Sequence, residues 1–122
     1  MKTQETANRL VELCRKGENM TAYDELFDKN AEAFEPKGAP GEYAKGVENL
    51  KAKTQQFYQD VKEMHSAEIS DPIVADNFFT CSMKMDITTH SRGRMQMDEI
   101  CVYETNKDGK VIKEQFFFNM GG

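Results

Sequence analysis

The apolar positions of this chain change their period part-way along. Ala7, Leu10, Val11 and Cys14 recur at steps of three and four, which predicts an amphipathic helix over residues 3–16 ended at Gly17. A second, shorter helix follows, capped by Asn19 or Thr21, with Tyr23, Leu26 and Phe27 on its apolar side before Asp28-Lys29-Asn30 breaks the pattern. Residues 31–35 read as a short strand stopped by Pro36. The loop PKGAPGEYAKG after it, dense in proline and glycine, reads as the rim of a pocket. Val47, Leu50, Thr54, Phe57 and Val61 then mark a third helix over residues 46–62, apolar on one stripe only.

Beyond that helix the period falls to two. Residues 65–70 read as a strand, Pro72 interrupts it and Asp76-Asn77 turns the chain. Phe79, Cys81, Met83, Met85 and Ile87 alternate with Thr80, Ser82, Lys84, Asp86 and Thr88, so this strand buries one face. SRGR closes a hairpin onto a strand over residues 94–104, Asn106-Lys107-Asp108-Gly109 is a turn, and residues 111–119 form the last strand. Helices first and a strand meander afterwards predict an α+β fold in a single domain over residues 1–122. Three N-terminal helices pack on a strongly curved, mixed or antiparallel sheet whose concave face makes a cone.

Charge and cysteine usage narrow the function. A net charge of −5, with no basic cluster longer than SRGR, argues against nucleic acid as a partner. No apolar run approaches the ~18 residues of a membrane helix, and the start MKTQETANRL lacks the apolar region of a secretion signal, so the expected location is cytoplasmic, away from membranes. Cys14, Cys81 and Cys101 are scattered, odd in number and without a C-x-x-C, which predicts reduced, buried thiols rather than a disulfide framework or zinc site. His65 and His90 show no ligand spacing, so no metal or other cofactor is expected.

The order of elements resembles the NTF2-like (nuclear transport factor 2-like) fold, and the text resembles its SnoaL-like branch. The similarity runs through TAYDELFDKNAEAFEP, the Lys45-Gly46 pair before the third helix, HSAEISDPIVADNFFTCSMKMDI, and RMQMDEICVYETNKDGKVIKEQFFF. It implies a cone that holds a small, mostly apolar organic molecule, a homodimer, and relatives that include polyketide cyclases, ketosteroid isomerases, dehydratases and hydrolases. The chain has no tyrosine in its first predicted helix, which separates it from the ketosteroid isomerases.

Candidate chemistry follows from strand parity. Met95, Met97, Glu99, Cys101 and Tyr103 share one face of their strand and match the Phe79-to-Ile87 face, so Glu99 points into the cone and Asp98 out; a bulge would exchange the two faces. A carboxylate in an apolar cone is costly to ionise, which brings its pKa towards neutrality and suits a general acid or base. His65 shares parity with Ala67 and Ile69 and is the expected partner of Glu99. The resemblance implies an inward polar group from the last strand, assigned to Gln115, although parity there is open. Tyr23 and Phe34 are expected at the mouth or wall, and Met83, Met85, Met95 and Met97 as an adaptable lining for an apolar ligand. Two functions fit: an acid–base enzyme of isomerase, cyclase or hydratase type, or a non-catalytic ligand-binding or dimerisation module using Ile100, Val102 and the Phe116-Phe118 face.

Overall fold

Thirteen residues, Thr3–Arg15, form α1, whose inward stripe of Ala7, Leu10, Val11 and Leu13 is buried. The computed structural model describes residues 2–39 and 41–119; Pro40 of the predicted rim loop and the ends of the 1–122 range lie outside them. At the end of α1 the Gly17 N–H donates to the Cys14 carbonyl (3.0 Å) and the Glu18 N–H to the Leu13 carbonyl (2.9 Å). This reciprocal pair satisfies carbonyls the helix leaves open, and it requires the left-handed φ of 74° that Gly17 adopts.

α2 spans Asn19–Leu26 and runs directly into β1, Phe27–Phe34. The helical pattern ends before Asp28-Lys29-Asn30 as expected, but these residues already belong to the strand, which starts earlier than residue 31. The Asn30 N–H donates to Asp28 Oδ2 (2.9 Å), and pairing with the neighbouring strand shifts register between Phe27 and Glu32, so an irregularity in the strand absorbs the three polar residues. The rim loop contains a strand absent from the sequence pattern, β2 (Tyr43–Lys45), antiparallel to β1. Gly46 then turns the chain at φ 92°, donating its N–H to the Ala31 carbonyl (2.8 Å), and starts α3, Val47–Asp60.

The strands that follow are β3 (Val61–Ile69), β4 (Ile73–Ala75), β5 (Phe78–Thr89), β6 (Gly93–Thr105) and β7 (Val111–Phe118). They form an unclosed sheet of order β2-β1-β7-β6-β5-β3, with β4 also on β5; β1 and β7 are parallel and every other pair is antiparallel. β3 starts earlier than the predicted residue 65 because α3 ends at Asp60, and Asp60 ties that corner to the β5–β6 turn. Its carbonyl accepts the His90 N–H (2.8 Å) and its Oδ1 accepts the Ser91 N–H (3.0 Å).

The helices cover one face of the sheet. Leu10, Leu13, Leu26 and Leu50 meet Phe79, Cys81, Cys101, Tyr103 and Val111, and Phe79 stacks on Tyr103 with ring centroids 4.7 Å apart. Full burial of each such side chain contributes about 1.5–3 kcal/mol. On the other face Ile73, Phe78, Ile100 and Phe117 stay exposed, and Ile100 pairs directly with Phe117. Phe116 and Phe118 share the covered face, opposite the one that carries Ile100 and Val102, so they do not join those two in a single surface as expected; Phe117 does. No described helix is long and apolar enough to cross a membrane.

Because an added Cβ at Gly17 would meet nothing within 4 Å, the cost of substitution there is conformational. Gly17→Ala should lower the unfolding free energy by about 1 kcal/mol, seen as a lower urea midpoint with an unchanged slope.

Candidate functional site

Three cross-strand rows tile the covered face of the sheet. Met83 (β5), Glu99 (β6) and Phe118 (β7) form the first, Cys81, Cys101 and Phe116 the second, and Phe79, Tyr103 and Glu114 the third, which Ala33 of β1 extends. Two carboxyl groups thus sit in an otherwise apolar wall. Glu99 and Glu114 stand two rows apart, which is about 13 Å between Cα positions.

Glu99 points inward. Its Oε1 accepts the Cys101 thiol at 3.8 Å, and burial, followed by the charge of Glu35, pushes its pKa up to about 7 against the opposing pull of the Cys101 thiol and Lys53. Glu114 is only 3% exposed, and burial pushes it up to about 8, moderated by the Tyr23 hydroxyl that donates to its Oε1 at 3.1 Å and by Lys53. Tyr23 also hydrogen-bonds Thr54 of α3 at 3.0 Å. At neutral pH Glu114 is therefore mostly a neutral acid, while Glu99 is near half-protonation.

The cation of the site comes from α3. Lys53 Nζ lies 3.0 Å from Glu35 Oε1 and 5.7 Å from the centroid of Phe116. The atom is buried, and apart from this ion pair it has no hydrogen-bond partner among the described residues. One ammonium thus faces three carboxyl groups, Glu35, Glu99 and Glu114, and neutralises one directly.

Several predicted residues fall elsewhere. His65 is on the outer face: the register of β3 against β5 shifts between Met64 and Ser66, so parity with Ala67 does not carry back to it. Its Nε2 is 2.7 Å from Thr88 Oγ1 and its Nδ1 3.1 Å from Glu63 Oε2, and it does not meet Glu99. Gln115 pairs with Val102 and Phe34, which also puts it on the outer face. Phe34 packs there against Tyr43, with Lys113 Nζ 4.9 Å from its ring centroid. Tyr23, expected at the mouth or wall, is buried at the wall beside Glu114. Met83, Met85, Met95 and Met97 are on the Glu99 side as expected, with Met85 opposite Met97 and Met95 opposite Ile87.

Glu114, Lys53 and Glu35 were missed by sequence reasoning. Glu114 carried the signal that revealed Glu99, a carboxylate within an apolar alternation, here Ile112, Phe116 and Phe118. Lys53 and Glu35 carried none.

A SnoaL-like domain model matches residues 1–118. The chain belongs to the SnoaL-like family. No curated protein sequence matches it. Its structure is similar to that of a protein named as a SnoaL-like polyketide cyclase from Mesorhizobium loti, with a TM-score of 0.87 and 29% identity over 96% of this chain and 99% of that one. A second protein so named, from Jannaschia sp., gives 0.77 at 13% identity, covering 98% of this chain and 88% of the other. The epoxide hydrolase/cyclase-like enzyme SalBIII gives 0.74 at 15%, covering 97% and 91%. The last two likenesses show the fold alone.

Two hollows of this SnoaL-like domain open to the surface. A hollow of about 440 Å³ between the α1–α2 turn and α3 is lined by Gly17, Asn19, Met20, Gln55, Tyr58 and Gln59. None of these residues belongs to the rows that carry Glu99 and Glu114. A second hollow, of about 760 Å³, lies near Thr3, Asn77 and Thr105, away from Glu99. No group of histidine, cysteine and acidic side chains among the described residues has the geometry to hold a metal ion.

The raised carboxyl groups make stability depend on pH. Below the unfolded carboxyl range, ~4.3, both states of the protein hold these protons. As pH rises towards about 8 the unfolded chain releases the Glu114 proton while the folded chain retains it, so stability falls across that window and the loss is complete above it. Glu114→Gln keeps an acceptor for Tyr23 and should flatten this decline between about pH 5 and pH 8, measured by urea unfolding at each pH.

Proposed function

We propose that the protein is an acid–base enzyme of isomerase, cyclase or hydratase type, acting on a small, mostly apolar organic molecule held between α3 and the inner wall. The observation that carries this reading is the placement of Glu99 on an apolar wall with its pKa at about 7, unpaired by the one cation nearby. A carboxylate near half-protonation can remove a proton beside a carbonyl, or from a hydroxyl or water, and return it in a later step. Glu114, held neutral by burial and oriented by the Tyr23 hydroxyl that donates to it, is a second proton source farther along the same wall. The methionines along the Glu99 side give the ligand an adaptable apolar bed. Glu99→Gln should abolish turnover while leaving ligand binding within about threefold. Native mass spectrometry of protein purified from its host would identify the ligand, and carboxyl NMR should show a Glu99 titration near pH 7; a random-coil value there ends the proposal.

The outer face supports a second element of this reading, a homodimer. Ile73, Ile100, Phe78 and Phe117 are exposed on one side of the sheet, the kind of apolar surface that a second copy covers. Ile100→Asp should convert the dimer to monomer in light scattering at micromolar concentration, with the inner wall unaffected. If wild type is already monomeric, the interface assignment is wrong. The three free thiols fit a reducing, cytoplasmic setting.

A further inference from the structure

The middle row of the inner wall brings two thiols face to face. Cys81 and Cys101 are direct register partners across β5 and β6, 3% and 0% exposed. Facing Cβ atoms in an antiparallel pair lie about 4.5–5.5 Å apart, and a disulfide needs about 3.5–4.5 Å. Closing the bond therefore asks the two strands for a contraction of roughly 1 Å. The neighbouring Cys101 thiol holds Cys81 below the usual thiol range and Cys101 itself is pushed up, which makes Cys81 the readier nucleophile of the pair. Cys14 on α1 is the third thiol of the region, half-buried, and burial pushes it up to about 12.

We propose that Cys81 and Cys101 are a modification site, a cross-strand pair that a peroxide converts reversibly to a disulfide, and that the bond takes from Glu99 the thiol that hydrogen-bonds it. The Cys81 thiolate attacks one peroxide oxygen, the O–O bond breaks, and the other oxygen takes up the proton that the Cys81 thiol released and leaves as water, giving a sulfenic acid on Cys81. The Cys101 sulfur then displaces that oxygen, which departs as a second water carrying the Cys101 proton. The sulfurs lose two electrons and the peroxide gains them; a dithiol reverses the change.

Glu99 reads the event because Cys101 donates to its Oε1 in the reduced protein. The other groups that face it are Glu35 and Lys53, Tyr58 on α3 and Glu114 on β7, which take no part in the reaction, and Cys81 on β5, which goes from a thiol to an equally neutral disulfide sulfur. With the thiol donor gone, the Glu99 carboxylate is less well stabilised and its titration moves upward. The consequence for catalysis rests on the acid–base reading above; the disulfide itself does not.

The test treats the intact, reduced protein with hydrogen peroxide under native conditions, blocks free thiols and maps peptides without reduction. The expected product is a single cross-link joining the Cys81 and Cys101 peptides, two hydrogens lighter than the reduced pair, removed by dithiothreitol and accompanied by an upward shift of Glu99 in carboxyl NMR. Cys101→Ser keeps a hydroxyl donor for Glu99, and should abolish both the cross-link and any peroxide effect on the Glu99 titration. A cross-link to Cys14, or three thiols that remain fully alkylatable after denaturation of peroxide-treated protein, overturns the modification site. A cross-link that leaves Glu99 unmoved overturns the coupling. A Glu99 titration at the random-coil value in the reduced protein ends the acid–base reading while leaving the disulfide result intact.

Discussion

Twelve residue pairs between β5 and β6 run from Phe78↔Glu104 to Thr89↔Gly93 without a shift in register. Side chains in a strand alternate with a period of two, so a slip of one residue anywhere in this stretch would send Glu99 and Cys101 to the outer face and Asp98 and Ile100 into the core. The unbroken pairing excludes that slip. The stacking of Phe79 on Tyr103 at one end and the tie from Asp60 to Ser91 at the other hold both ends of the ribbon. The rows against which the helices pack, and the placement of both buried acids, inherit their order from this one alignment.

That alignment creates an electrostatic demand which the helices answer only in part. α3 brings one ammonium, and it goes to Glu35. Glu99 and Glu114 are left to lower their own charge by holding protons, because an ionised carboxylate in an apolar wall has few compensating partners. α2 contributes Tyr23, whose hydroxyl satisfies one Glu114 oxygen without supplying charge. The site is tuned by what its neighbours withhold as much as by what they provide.

The fold was legible because the change from a helical period to a strand period is strong, and because Gly17 and Gly46 mark helix boundaries in the letters themselves. Glu99 was legible because β6 carries no bulge over residues 94–104. His65 was misplaced for the converse reason: the irregularity between Met64 and Ser66 leaves no trace in composition. Gln115 and Glu114 occupy opposite faces of one strand, and choosing the amide over the acid ignored the apolar neighbours Phe116 and Phe118 that identify the inward set. Phe34 was assigned to the wall although Ala31 and Ala33, with no exposure, are the residues of β1 that face the helices. Lys53 could not be found from sequence, since a lysine on a half-exposed helix stripe looks like any solvated surface residue until the sheet beneath it is known.

An unclosed sheet has margins as well as faces, and unpaired strand margins are where chains stack without limit. Here one margin is β2, only three residues long, and the other is β3, which carries Lys62, Glu63 and Glu68 in exposed positions and is kinked by two register shifts. Neither offers a straight, uncharged template on which another strand could zip. Growth by strand addition is thus disfavoured at both flanks, which leaves the broad outer face as the apolar surface open to a partner.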